Sequence, residues 1–144
     1  RSRGLGDVYK RQIVKDILFL QQKSEVAVKS DLYLAQDLQD TLLANQENCV
    51  GLAANMIGVK KRVIIFMYGL VPIIMFNPVL RAKSGPYQTE EACLSLVGSR
   101  SITRYQEITV DYLDRNWQPQ TITLKDFPAQ ICQHELDHLE GILI

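Results

Sequence analysis

Gln133-His134-Glu135-Leu136-Asp137-His138 is a His-Glu-x-x-His pattern, and the rest of the chain is read outward from it. On a helix, a spacing of four puts His134 and His138 on one face, a turn apart. Two imidazoles so placed can hold one divalent metal, and Glu135 can reach a water on that metal. A packed helix that merely carries two histidines would show the same letters. The chain has only two histidines, however, and both fall here. That concentration favours the metal.

The flanks fit a helix. Asp126 is a plausible N-cap, and Pro128 is tolerated in the first turn. Phe127, Ile131, His134 and His138 then share one face, and Gly141 is a natural stop. Cys132 adjoins the motif but points off the metal-facing side, so it reads as packing. Asp137 is placed to orient a histidine from behind, or to be a solvated carboxylate.

Composition bounds the remainder. The 144 residues suffice for one domain with a hydrophobic core, and 47% are apolar, as in ordinary soluble proteins. No apolar run is long enough to span a bilayer, and no secretory start is visible. Cys49, Cys93 and Cys132 are too few for a disulfide framework, which points to a reducing, cytoplasmic setting. The formal net charge is zero, so nothing electrostatic argues for nucleic acid. Residues 1–12 lack an initiator Met and any useful period, and read as a non-native or disordered leader. The leader holds Arg1, Arg3, Lys10 and Arg11 against Asp7 alone, so the single domain expected over residues 13–144 is mildly acidic.

Upstream of the motif the pattern alternates between helix and strand. Ile13 to Leu20 is a short apolar stretch that packs on the domain. Ser30-Asp31 reads as a helix start, followed by Leu34, Ala35, Leu38 and Leu42 at helical spacing, ending between Asn45 and Asn48. Val50 to Ala54 are small residues around Gly51, which let backbone approach closely to another element or a ligand. Val63 to Phe66 is a β-branched strand. Ile73 to Phe76 and Val79-Leu80 are further strand, interrupted at Asn77-Pro78. Ser84-Gly85-Pro86 predicts a turn. Ile108, Val110 and Tyr112 alternate with Thr109 and Asp111 as a half-buried strand. Asp114-Arg115-Asn116 turns it back into Thr121 to Leu124. The fold class is α+β with mostly antiparallel strands.

Two histidines do not complete a site, because open zinc-type sites usually carry three protein ligands. A carboxylate would give a thermolysin-like protease; a cysteine is the other candidate. Three stretches bear on the choice: Gly51-Leu52-Ala53-Ala54, Glu90-Glu91-Ala92-Cys93-Leu94-Ser95, and Gln133 to Gly141. Together and in this order they resemble the peptide deformylase family over nearly the whole chain after Gln12. The resemblance implies antiparallel strands packed around a central metal-binding helix. It implies Cys93, His134 and His138 as ligands of one divalent metal, Fe2+ natively with Zn2+ or Ni2+ possible. A thiolate is a soft, strongly donating ligand that suits such ions. It implies Glu135 as the general acid/base and an N-formyl-methionyl peptide or nascent chain as substrate. The peptide backbone would lie in β-strand fashion beside Val50 and Gly51, next to Cys49. Some family members carry a further C-terminal helix that contacts the ribosome; with Ile144 as its last residue, this chain is expected to have none. No membrane and no direct nucleic-acid partner are implied.

The sequence departs from the family at informative places. The first motif has the form Gly-x-Gly-x-Ala-Ala-x-Gln, but Cys49 stands at its first Gly and Met56 at its Gln. In the family that Gln donates to the oxyanion, beside the backbone N–H that corresponds here to Leu94. A thioether cannot donate, and losing one such donor costs about 10²–10³ in rate. Asn55 is adjacent, but successive side chains point elsewhere, so it is not a substitute. Ala92 and Val97 replace a Gly and a frequent Pro. The expected activity is therefore a metal-dependent deformylase, slowed by Met56. The alternative is an impaired paralogue that binds metal and peptide N-termini without efficient turnover.

Overall fold

The computed structural model describes residues 13–93 and 98–142. Its centre is one five-stranded sheet, antiparallel throughout, with strands in sequence order. The strands are β1 (Gly51–Ala53), β2 (Val63–Tyr68), β3 (Val71–Ala92), β4 (Ser99–Leu113) and β5 (Pro119–Lys125). The helices are α1 (Ile17–Leu20), α2 (Leu34–Ala44) and α3 (Asp126–Leu139), with short 3-10 turns at Lys29–Tyr33 and Ala54–Ile57. The α+β expectation holds, and α3 packs on β1, β2, β4 and β5. The apolar stripe of α2 is buried as its spacing predicts: Leu34, Ala35, Leu38 and Leu42 join Val63 to Phe66, Met75 and Phe76 in a single core.

Asn77 explains the interruption in β3. Its φ of 51° throws the backbone out of the ladder, and the register shifts between Phe76 and Val79. The Asn77 side chain then substitutes for a strand: Oδ1 accepts from Ala27 N–H at 2.8 Å and Nδ2 donates to Ala27 C=O at 2.9 Å. This ties the N-terminal segment to the sheet.

Two local expectations are corrected. Ser84-Gly85-Pro86 is not a turn; β3 runs straight through it, with Ser84 opposite Glu107 and Pro86 opposite Tyr105. Among the described residues β3 pairs beyond the bulge with β4 alone, so a Pro without an N–H is tolerated on its other edge. Asp126 is not a capping side chain. It is the first helical residue, at φ 56°, and Lys125 occupies the cap without a side-chain bond. Gly141 does end α3, at φ 75°. A Cβ there would lie 2.2 Å from the Gln21 carbonyl oxygen, so the N-terminal segment crosses directly over the helix end.

Candidate metal centre

The position of α3 is fixed by side chains that borrow backbone groups from other elements. Gln133 accepts from Tyr105 N–H at 2.9 Å and donates to Tyr105 C=O at 2.8 Å, so its amide pairs with β4 as a strand would. One turn later Asp137 takes Arg104 Nη1 at 2.6 Å. Asn55 donates to the His138 carbonyl at 2.9 Å. Asn55 therefore points at the helix and not into the site, as expected.

Cys93, at the end of β3, meets the two histidines. Cys93 Sγ lies 3.2 Å from His138 Nε2, which lies 3.1 Å from His134 Nε2. All three donor atoms fall within 4.8 Å of one another. The donor set fits a metal. His134 Nδ1 sits 2.7 Å from Glu91 Oε1, and with its proton there the Nε2 lone pair faces inward. Two lone pairs and a sulfur facing one point repel each other unless a proton or cation lies between them. One thiolate and two imidazoles at this spacing suit a tetrahedral ion with an open fourth position.

Behind His134 lies a buried charge network. Arg104 donates through Nε and Nη2 to the two Glu91 oxygens, both at 2.8 Å, and through Nη1 to Asp137. Gln130 adds a bond to Glu91 Oε2 at 3.0 Å. Burial alone would raise the Glu91 carboxyl, but the hydrogen bonds from His134 and Arg104 outweigh it and hold it at about 2. Burial would lower His134, yet its bonds to Cys93 and Glu91 raise it to about 10. Burial and the neighbouring His134 push His138 down to about 3, so it stays a neutral ligand. A metal held by Cys93, His134 and His138 would have to take the place of the proton that His134 otherwise keeps.

The centre opens into a cleft of about 240 Å³. One wall is Cys49, Val50, Gly51 and Met56; the other is Phe127, Gln130, Ile131, His134 and Glu135 of α3. Glu135 is buried, and its Oε1 has no partner among the described residues. Burial raises its carboxyl to about 7. Gly51 is small because Glu135 needs the space: a Cβ at Gly51 would lie 2.9 Å from Glu135 Oε2 and 2.9 Å from Ile131 Cγ2. Met56 is fully buried, and its Sδ accepts from Ala53 N–H at 3.4 Å. Cys49 donates its thiol to Gly51 C=O at 2.9 Å, and burial pushes that thiol up to about 12.

The structure thus gathers Cys93, His134, His138, Glu135, Met56, Cys49, Val50 and Gly51 around one cleft. Leu94, expected to supply a backbone donor, lies outside the described residues, as do Val97 and residues 1–12. Cys132 is buried packing. Asp137 does not touch a histidine; it reaches His134 only through Arg104 and Glu91. Sequence reading missed Arg104 and the roles of Glu91 and Gln133. The one available signal was a carboxylate two residues before the candidate thiolate.

The family model described as polypeptide deformylase matches residues 11–144. A peptide deformylase of Clostridium beijerinckii is 58% identical over 93% of this chain and 98% of its own length. One of Aquifex aeolicus is 34% identical over 94% of this chain and 81% of its own. Among solved structures, the class I type b peptide deformylase of Acinetobacter baumannii bound to Met-Ala-Ser superposes with a TM-score of 0.84. It is 30% identical, covering 92% of this chain and 96% of that one.

Proposed function

The chain belongs to the polypeptide deformylase family, metal-dependent hydrolases that remove N-formyl groups from peptides, and we propose that it acts on formyl-methionyl peptides through Cys93, His134, His138 and Glu135. The observation that carries this assignment is the convergence of Cys93 Sγ, His134 Nε2 and His138 Nε2 beside a buried, unpartnered carboxylate in an open cleft. The A. baumannii relative bound to Met-Ala-Ser supports methionine as the first residue.

In this reading Cys93, His134 and His138 hold one divalent ion, with Fe2+ favoured and Zn2+ or Ni2+ able to fill the same donor set. When bound, that ion supplies Lewis acidity, polarising both a water and the formyl carbonyl. Glu135 takes a proton from the attacking water. The water oxygen adds to the formyl carbon, the carbon–nitrogen bond breaks, and Glu135 returns the proton to the leaving amine. Formate and a free amino terminus result. A carboxyl held near 7 suits both halves of that transfer. Glu91, fixed by Arg104, keeps His134 oriented throughout. The substrate backbone lies along the outer edge of β1, where Val50 and Gly51 line the cleft. A cytoplasmic setting is part of the proposal, supported by the three free thiols. No helix among the described residues is long and apolar enough to cross a membrane.

Met56 favours a second reading, a family member that binds metal and peptide N-termini with little turnover. Its sulfur already accepts a backbone N–H and has nothing to donate to an oxyanion. The test is formate release from formyl-Met-Ala-Ser by anaerobically iron-loaded protein. Formate with a matching rise in free amine supports the deformylase. Stable binding of Met-Ala-Ser without formate release supports the second reading. A Cys93→Ala protein that keeps its full metal content would remove the proposed ligand set.

A further inference from the structure

Gly51 is the point where a bound peptide and this chain's own side chains compete. The Val50 carbonyl accepts from Met67 N–H at 2.8 Å, so residue 50 faces β2. In an antiparallel ladder successive residues alternate direction. The N–H and C=O of Gly51, opposite Phe66 in the register, therefore point away from β2. Among the described residues β1 ends the sheet on that side, so these groups form a sheet edge along the cleft. An extended peptide adding to that edge needs the Gly51 carbonyl as an acceptor. One lone pair of that carbonyl is already engaged: the Cys49 thiol donates to it at 2.9 Å.

We propose that Cys49 sets peptide affinity by engaging the Gly51 carbonyl, so that an incoming substrate N–H has to displace the thiol or share the oxygen with it. This rests on the deformylase reading and extends it to a residue at which the family pattern has Gly. The half-buried thiol stays protonated at neutral pH and so remains a donor. The residue lies on the cleft wall with Val50 and Gly51, and the same cleft holds the unpartnered Glu135 oxygen at the reacting end. The exchange is one hydrogen bond for another. The cost therefore falls on binding, and the developing oxyanion at the metal end is untouched.

The test compares Cys49→Ala and Cys49→Ser with the parent as iron-loaded proteins on formyl-Met-Ala-Ser, with Met-Ala-Ser binding followed by calorimetry. Freeing one neutral acceptor is worth about a two- to tenfold change. Cys49→Ala is expected to lower KM and the Met-Ala-Ser Kd by that factor, with the main change in KM rather than kcat. Cys49→Ser restores a donor and is expected to bring both constants back toward the parent's. A Kd that is unchanged or weaker in Cys49→Ala overturns the inference while leaving the deformylase reading intact. So does an equal change in Cys49→Ser, because a mere change of volume would produce it. A parent that neither releases formate nor binds Met-Ala-Ser overturns both readings.

Discussion

Replacing Met56 by Gln is expected to raise kcat on formyl-Met-Ala-Ser by about tenfold to a thousandfold. The structure shows why the new amide would be aimed correctly. Met56 Sδ now accepts from Ala53 N–H at 3.4 Å. A Gln side chain of similar length can turn its carbonyl oxygen to that same N–H. Its NH₂ group then points the other way, into the cleft that Met56 lines with Cys93, His134 and Glu135. The backbone donor at Ala53 thereby fixes the side-chain rotamer and supplies the preorganisation that oxyanion stabilisation needs.

The magnitude has two sides. A single oxyanion donor is worth about 10²–10³ in kcat where it has been removed from other hydrolases, so the upper limit follows. The lower limit allows for a donor whose supporting shell was not selected around it. The stability cost is expected to stay below about 1.5 kcal/mol, because the two side chains are both unbranched and close in size. An unpaired amide buried this deeply would cost about 1–3 kcal/mol, but Ala53 N–H satisfies one end and cleft water the other. Since the new bond forms mainly in the transition state, KM should move little. The assay is steady-state formate release, with metal content and thermal unfolding measured on the same preparations. A Met56→Gln protein that is folded, metal-loaded and no faster than the parent would refute the missing-donor account.

Four further outcomes are expected. Glu135→Gln should retain metal by elemental analysis and lose most formate release; undiminished turnover would take Glu135 out of the mechanism. Arg104→Leu leaves the buried Glu91 and the half-buried Asp137 without their cation, so unfolding should show a loss of about 3–5 kcal/mol. Metal release to a chelator should also quicken, by about 10–100-fold, and a parent-like rate would sever Arg104 from the site. Gly51→Ala drives a Cβ into Glu135 Oε2 and Ile131 at 2.9 Å; kcat should fall while metal content holds, and an unaffected kcat would mean the helix yields freely. The Glu91 carboxyl is lowered from 4.5 to about 2 by its partners. Its contribution to stability is thus complete above about pH 4.5 and lost as pH falls toward 2. Acid unfolding of metal-free Glu91→Gln should be correspondingly flatter over that window, and an identical acid limb would contradict the assignment.

What could be read from the sequence was what lies within one element. α3 was legible because His134, His138 and Ile131 repeat at helical spacing, and α2 for the same reason. The β4–β5 hairpin was legible because Asp114 closes its turn with its own side chain, accepting from Asn116 and Gln118 N–H. Gly85-Pro86 misled because turn chemistry is judged locally, whereas its outcome depends on whether a neighbouring strand needs the missing N–H. Nothing near Arg104 in the chain marks it either. Its partners Glu91 and Asp137 lie on a different strand and on the helix. The register sets Arg104 opposite Tyr87, four residues from Glu91, so only the packing of β3, β4 and α3 together brings the three side chains into contact.

The same distinction orders the two departures from the family motif. Cys49 and Met56 are seven positions apart in one segment, and both were visible as wrong letters. The missing donor at Met56 followed from its chemistry alone, but the backbone group each side chain engages did not, because the letter does not name it. Cys49 acts on the carbonyl of Gly51, at the edge where a peptide would pair. Met56 acts on the N–H of Ala53, in the cleft it lines with Cys93, His134 and Glu135. The first group is met when substrate binds, and the second steers a side chain toward charge that develops only as the formyl carbon becomes tetrahedral. A defect at Cys49 therefore belongs to KM and a defect at Met56 to kcat. In the proposed function the two substitutions thus act on physically separate steps, one on binding and one on the chemical step.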